Sequence, residues 1–157
     1  MEIIRLENSK DPIFDDLCRW NYDWWGIPDG RSYAEVRSHM AHSCNTHRLP
    51  QTFVALLDGE PVGMYQLSMS DDLRGRPDIY PWLINVYVAK EYRGKQICRA
   101  LMLTVRENAR KAGLQELYLY THHVGLYEKF GWEFAEEVPT FKPESPFERL
   151  YRMEIGG

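Results

Sequence analysis

The sequence lacks any apolar run of about 18 residues, and its first ten residues lack the roughly 7–15-residue apolar stretch of a secretory signal. We therefore expect no membrane partner and no export. Only three cysteines are present, Cys18, Cys44 and Cys98, and none of them belongs to a CxxC pair. Because an odd number of cysteines cannot all pair within one chain, we expect reduced thiols, a cytoplasmic location and no metal site.

A basic excess is absent as well. The chain has 19 Lys and Arg against 23 Asp and Glu, which gives a formal net charge of −4. A nucleic-acid-binding surface normally needs a clear excess of positive charge, so we expect no nucleic acid as a partner. With 157 residues and no repeat, low-complexity tract or long linker, residues 1–157 are expected to form one domain with its own core.

Aromatic residues, by contrast, are abundant. They make up 13% of the chain and include five Trp and ten Tyr. Many lie in two groups, at residues 20–25 and 80–82. Such groups occur in protein cores and in the walls of binding pockets, and composition leaves both interpretations open.

Turn signals and apolar periodicity predict an α/β (α+β) fold with helices flanking a mixed central sheet. The predicted order is one strand, two helices, a β-hairpin and then β-α-β-α-β-β. Residues 26–30 should end the first helix. Ser32 with Glu35 resembles a capping box that starts the second helix, which we extend to about Cys44. The pair Asp58-Gly59 predicts the hairpin turn.

The most informative segment lies in the second half of the chain. The apolar run from Trp82 to Val88 predicts a strand buried on both faces. A basic turn follows, and an amphipathic helix begins near Ile97 and ends at Gly113. Free amides at a helix N-terminus bind anions, and three cations lie close to this one in sequence: Arg93, Lys95 and Arg99. The pattern predicts an anion site suited to a pyrophosphate; the alternative is a solvated basic turn that only caps the helix.

Two short motifs resemble those of one enzyme family. Residues 92–101, YRGKQICRAL, resemble the acyl-CoA-binding signature of the GNAT family of N-acetyltransferases, R/Q-x-x-G-x-G/A. Residues 125–132, GLYEKFGW, resemble that family's second signature, a Leu-Tyr-Glu-Lys-x-Gly-aromatic run. The 34 positions from Arg93 to Tyr127 fit a helix, a strand and the start of another helix. The predicted order of elements is similar to the family over essentially the whole chain.

The resemblance implies an N-acetyltransferase that moves the acetyl group of its cosubstrate, acetyl-CoA, to a primary amine by direct attack. Tyr127 would be the general acid beside the thioester sulfur. Backbone groups of Val86, Tyr87 and Val88 would bind the pantetheine arm, and N–H groups near Val88 would stabilise the oxyanion. The pyrophosphate would be wrapped, mainly by main-chain N–H groups, by Arg93, Gly94, Lys95, Gln96, Ile97, Cys98 and Arg99.

The first signature departs from the family at two positions. Gln96 stands in place of Gly, and Cys98 stands in place of Gly or Ala. Glycine is used where a backbone must approach a ligand closely. We expect both positions to lie in a right-handed helical turn that tolerates a Cβ. The alternative is weakened cofactor binding, or a CoA-binding regulatory or interaction module with little or no turnover.

The general base is not assigned by either motif. Some family members carry a Glu on the strand that matches residues 83–88, whereas this chain has Asn85, which can orient a water or the substrate but takes no proton. His122 and His123 are candidate bases, because imidazole has a suitable pKa and strand alternation directs one of them inward. The alternative is that both are surface or packing histidines. Asp71 and Asp72 are weaker candidates for holding a cationic amine.

The acceptor is a small-molecule or protein amine that the sequence does not identify, and a homodimer is left open. In this family the first two helices usually shape the acceptor pocket. Trp24 and Trp25, with Trp20, Tyr22 and either Asp23 or Asp29, suit an amine on an apolar body, while core packing is the alternative for each Trp. A nucleic-acid binder is disfavoured by the net charge; it would use Arg93, Lys95, Arg99 and Arg106.

Overall fold

The computed structural model describes residues 1–71, 73 and 75–156. Its elements in chain order are β1 (Glu2–Leu6), α1 (Phe14–Asn21) with a following π-helical turn (Tyr22–Gly26), α2 (Tyr33–Ala41), β2 (Gln51–Leu57), β3 (Glu60–Ser68), β4 (Trp82–Val88), a 3-10 turn (Lys90–Tyr92), α3 (Ile97–Lys111), β5 (Glu116–Thr121), a second 3-10 turn (Tyr127–Phe130), β6 (Glu133–Lys142) and β7 (Ser145–Glu154). The predicted mixed α/β fold and its order of elements are confirmed. None of the helices in the described residues is long and apolar enough to cross a membrane.

The strands form one sheet in the order β1-β2-β3-β4-β5-β7-β6. The pair β4–β5 is parallel, and the other neighbouring pairs are antiparallel. Within the described residues, the pairing of β4 with β5 is limited to Trp82 and Tyr118. The two strands therefore separate beyond Trp82, and a gap opens in the middle of the sheet.

Alternate residues of the central strands supply separate cores on the two faces of the sheet. On β2, Phe53 and Ala55 pack with α3, whereas Val54 packs with α1 and α2 on the other face. Helix α3 contributes a buried stripe at helical spacing, made of Ile97, Leu101, Val105 and Ala109. The sheet is thus covered by α3 on one face and by α1 and α2 on the other.

Two local signals in the sequence have the predicted structural effect. The Ser32 hydroxyl accepts a hydrogen bond from the Glu35 N–H at 3.1 Å and so caps α2. Asp58 and Gly59 have φ angles of +51° and +81°, which are the positive values that a two-residue type I′ turn requires. Both signals are local in the chain, so they can be read without knowing the tertiary structure.

The first helical segment ends where residues 26–30 predict, because the π-helical turn that extends α1 reaches only to Gly26. Two other predicted boundaries are wrong. Helix α2 ends at Ala41, because the Ser43 hydroxyl and the Cys44 thiol bond to carbonyls of the last turn. The helix predicted over residues 124–130 is a single 3-10 turn that begins at Tyr127. Gly125, with φ +86°, lies outside helical geometry and delays its start.

Candidate active site

Where β4 and β5 separate, a cavity of about 590 Å³ lies between the edge of β4 and the segment that follows β5. The cavity is bounded by the edge of β4, the basic turn before α3, the first turn of α3 and the segment from His123 to Phe130. The prediction that β4 is buried on both faces is wrong beyond its first two residues. Trp82 and Leu83 are buried, but residues 84–88 are half-buried because β5 diverges from them.

The edge of β4 presents main-chain groups to this cavity. The Ala89 N–H donates to the Val62 carbonyl of β3 at 2.9 Å. Because successive residues of a strand direct their N–H and C=O groups to opposite edges, those of Val88 face away from β3. Val86 and Val88 both line the cavity. An extended ligand with amide groups can bind along such an edge as an added strand does.

Asn85 lies in an irregularity of β4 rather than in the cavity lining. Its φ is +52°, and the β3–β4 register shifts between Met64 and Gln66 at this level. The Asn85 amide nitrogen donates to Gln66 Oε1 at 2.7 Å, and Gln66 in turn donates to Thr52 Oγ1 at 2.9 Å. A bulge of this kind bends the strand that carries it, so Asn85 helps to set the course of the β4 edge.

The basic turn and the first turn of α3 form one wall of the cavity. Six predicted cofactor-binding residues of this wall line it, namely Arg93, Gly94, Gln96, Ile97, Cys98 and Arg99. Lys95 lies outside the lining, with its Nζ 5.4 Å from the centre of the Tyr92 ring. Among the described lining residues, Arg93, Arg99 and Lys129 carry positive charge and no carboxylate is present. The cavity is therefore electropositive in a chain of net charge −4 and suits an anion.

Gln96 has a left-handed backbone, with φ +66° and ψ +17°, as the N-cap of α3. The expectation of a right-handed turn is wrong at this position, whereas Cys98 does lie in the first turn of the helix. A left-handed conformation costs a residue with a Cβ roughly 1–2 kcal/mol. Position 96, where the family signature has Gly, is thus one where the local backbone favours glycine.

Tyr127 projects into the cavity from the second 3-10 turn. Its side chain is buried, with the Trp132 and Tyr151 rings each 6.3 Å away between centres. Burial, with a smaller effect of Cys98, raises the pKa of the Tyr127 hydroxyl well above its ordinary value. The hydroxyl therefore keeps its proton at neutral pH and is available as a hydrogen-bond donor.

A hydrogen-bond network holds the segment that carries His123 and Tyr127. The two oxygens of Glu128 accept from the Gly125 N–H at 3.1 Å and from the Tyr151 hydroxyl at 3.0 Å. Arg149 Nε donates to the Tyr151 oxygen at 2.8 Å. Sequence reasoning missed Tyr151 and Arg149, because nothing local in β7 indicates that they reach this turn.

The two candidate histidines are placed differently. His123 lines the cavity with Tyr127, whereas His122 lies outside the lining, and both side chains are exposed. Their rings are 4.2 Å apart between centres. Partial desolvation and the neighbouring His122 lower the pKa of His123, and Glu148 acts in the opposite direction. His123 is therefore mainly neutral at pH 7 and able to accept a proton.

The predicted acceptor residues gather outside the cavity, on the sheet face that carries α1 and α2. Three indole rings surround the Tyr87 ring, at centre distances of 5.3 Å for Trp20, 5.8 Å for Trp24 and 6.2 Å for Trp25. We call these four residues the Tyr87 cluster. Arg93 reaches it from the basic turn, so the cluster adjoins the cavity.

The acidic candidates contribute less to this picture. Asp71 lies in the loop after β3, and Asp72 lies outside the described residues. Asp23 and Asp29 are both exposed near the end of the first helical segment. In the part of the chain that the structure describes, no three His, Cys, Asp or Glu side chains converge as a metal-binding group.

Comparison with solved structures supports the fold. An aminoglycoside 6′-N-acetyltransferase complexed with coenzyme A is 16% identical, with a TM-score of 0.75 over 100% of this chain and 98% of that chain. An aminoglycoside 6′-acetyltransferase type Ii is 18% identical, with a TM-score of 0.74 over 100% and 99%. A GNAT family acetyltransferase from Elizabethkingia anophelis, with acetyl-CoA bound, is 19% identical, with a TM-score of 0.66 over 98% and 97%.

The sequence itself matches a family profile. No curated protein matches the chain. The profile of the Acetyltransferase (GNAT) family matches residues 13–132, which include both short motifs and every element from α1 to the second 3-10 turn. The resemblance stated from those motifs is thereby confirmed: the chain belongs to the GNAT family of acetyltransferases.

Proposed function

We propose that the chain transfers the acetyl group of acetyl-CoA to a primary amine in the cavity between β4 and β5. Membership of the GNAT family makes the chain an acetyltransferase with acetyl-CoA as its cosubstrate. The observation that carries the placement is that Tyr127, His123 and the basic turn before α3 line one cavity. When bound, acetyl-CoA supplies the thioester whose acetyl group the amine attacks.

The residues of the cavity fit this cosubstrate in size and charge. Its volume of about 590 Å³ lies within the usual range of small-molecule sites. The amides at the start of α3, with Arg93, Arg99 and Lys129, suit a pyrophosphate. The open edge of β4 at Val86 and Val88 suits the amide groups of a pantetheine arm.

Two side chains would carry out the proton transfers of the reaction. His123 is neutral and takes a proton from the acceptor nitrogen, so that the nitrogen has a free lone pair with which to attack the acetyl carbon. Tyr127 keeps its proton and directs it to the sulfur that leaves, which stabilises the thiolate. The Val88 N–H faces the cavity and would bind the negative charge that develops on the acetyl oxygen. Because Asn85 is tied to Gln66, it serves the shape of β4 rather than proton transfer.

The acceptor is tested with a panel of amines and release of the CoA thiol as the readout. An aminoglycoside belongs first in the panel, because two structures of similar fold are named for that acceptor. Small aromatic amines and a peptide N-terminus complete it. Release of thiol with one class of amine supports the proposal. Acetyl-CoA binding without release on any amine would instead favour the CoA-binding module with little turnover.

We predict that Tyr127→Phe lowers kcat by about 10²–10⁴-fold, because it removes the hydroxyl proton that would go to the sulfur. The Kd of acetyl-CoA should stay nearly unchanged, because the substitution changes the volume of the side chain very little. Single-turnover thiol release and calorimetry measure the two quantities. Tyr118→Phe, on β5 and outside the cavity lining, is the matched control and should retain the wild-type rate. A wild-type rate in Tyr127→Phe would remove Tyr127 from the mechanism.

We predict an acidic limb in the pH profile of kcat/KM with an apparent pKa below 6.5, the ordinary value for histidine, because the pKa of His123 is lowered. Since the neutral imidazole is the active form, activity is lost as the pH falls through that pKa and is kept above it. His123→Gln should abolish this limb, whereas His39→Gln on α2 should preserve it. An unchanged limb in His123→Gln would assign the base elsewhere.

A further inference from the structure

Arg93 connects the cavity with the Tyr87 cluster. It lines the cavity, yet the carbon of its guanidinium lies 5.0 Å from the centre of the Trp24 ring and 5.4 Å from that of Tyr87. Its Nε donates to the Val88 carbonyl at 2.9 Å. In the described part of the chain, no carboxylate lies within salt-bridge distance of Arg93. Two aromatic faces and one carbonyl therefore hold the guanidinium.

The position of the guanidinium shows that the Tyr87 cluster accommodates a cation. Cations bind over aromatic faces within about 6 Å of the ring centre, and Trp is the strongest partner. Trp24 is 52% exposed, so a ligand can reach its ring from solvent. The Trp20 and Trp25 rings also pack against Tyr87. The same surface would take a ligand ammonium if Arg93 were elsewhere.

The charges of the cavity determine where the Arg93 guanidinium lies. Arg99 and Lys129 also line the cavity, and their positive charges disfavour a third cation beside them while no anion is present. A bound pyrophosphate reverses this balance. A pantetheine arm on the β4 edge would also compete for the Val88 carbonyl that Arg93 now uses. Both effects draw the guanidinium away from Trp24.

We propose that the Tyr87 cluster is a binding site for the organic cation of the acceptor, and that Arg93 fills this site until an anion occupies the cavity. This inference rests on the proposed function in taking CoA as that anion. It implies ordered binding, with the acetyl donor before the acceptor. A ligand that needs a minor state binds more weakly in proportion to the population of that state. For a cation–π contact of ordinary strength, the expected difference is about fivefold.

The test uses choline as the cation and 3,3-dimethyl-1-butanol as its neutral isostere. Binding is followed by NMR at the Trp24 indole N–H, assigned with Trp24→Phe. For the wild type, the choline Kd should fall about fivefold when CoA is added. In the absence of CoA, Arg93→Gln should bind choline about fivefold more tightly than the wild type does. Addition of CoA should change the choline Kd of this variant only slightly. The neutral alcohol should bind more weakly than choline throughout. Lys10→Gln, which removes an exposed cation outside the cavity lining and the Tyr87 cluster, should behave as wild type.

Three outcomes would overturn the inference. These are an equal choline Kd in wild type and Arg93→Gln, equal binding of the two isosteres, and binding that leaves the Trp24 signal unmoved. Calorimetry of CoA on the same samples separates this inference from the proposed function. If CoA binds but choline does not respond to Arg93→Gln, only the cation site fails. If CoA does not bind but Arg93→Gln still strengthens choline binding, the cation site stands and the proposed function fails.

Discussion

Gln96 shows how one residue can depart from a family pattern without losing the fold. Its left-handed backbone is the conformation for which the glycine of the signature is suited, and the helix nevertheless starts there. Its carbonyl accepts the Ala100 N–H at 3.1 Å, which is the first hydrogen bond of α3. The cost is the strain of a Cβ at positive φ, beside the amides that face the cavity.

We predict that Gln96→Gly raises the free energy of unfolding by about 0.5–1 kcal/mol, because the relief of left-handed strain exceeds the entropy that glycine adds to the unfolded chain. The Kd of acetyl-CoA should stay the same or decrease. Urea unfolding and calorimetry measure the two effects. Lys95→Gly, at a neighbouring position without positive φ, should lose stability instead. An equal loss in both variants would contradict this explanation of position 96.

The sequence predicts some residues of the site better than others, for a physical reason. Tyr127 and the basic turn belong to contiguous motifs, so their approximate places can be predicted from local sequence. The conformation of Gln96 and the contact of Arg93 with Trp24 depend on where α3 and the first helical segment pack. Tyr151 reaches Glu128 only because β7 lies beside β5. Such long-range contacts leave no pattern in a single sequence.

At the scale of elements, the site depends on how β4 leaves its neighbour. The hairpin, α3 and the strands were predicted from periodicity and turn residues, since these act over a few positions. The gap between β4 and β5 was not predicted, because the apolar sequence of β4 alone indicates a strand that is buried on both faces. Its half-exposed end results from the divergence of β5 and the irregularity at Asn85. Both are properties of strand pairing across the sheet.

The close packing of α3 on β3 gives a prediction at this scale. A Cβ on Gly63 would lie 3.0 Å from the Tyr87 carbonyl oxygen and from Ile97 Cγ2, and 3.1 Å from Leu101 Cδ1. The carbonyl belongs to β4 and cannot rotate away as a side chain can. We predict that Gly63→Ala lowers the free energy of unfolding by about 1–3 kcal/mol, measured in urea. Ser38→Ala, on the exposed side of α2, should change it by less than about 0.5 kcal/mol. A neutral Gly63→Ala would show that α3 packs less closely than described.

The whole molecule combines a negative net charge with an electropositive cavity. The two faces of the sheet have separate cores, and the cavity and the Tyr87 cluster lie near each other where β4 ends. The many aromatic residues of the sequence therefore lie in two environments. Trp82 and Trp132 are buried in the core, whereas Trp24 is half exposed beside Arg93. The proposed anion site and the proposed cation site thus lie on either side of one strand.

Hydrogen–deuterium exchange with and without acetyl-CoA tests the central claim, that the cosubstrate lies between β4 and β5. We predict slower exchange in peptides that cover residues 84–99 and 122–130. Peptides that cover residues 45–51, which lie beside a separate surface pocket, should not change. Unchanged exchange at residues 84–99 with saturating acetyl-CoA, or slower exchange confined to other segments, would contradict the account.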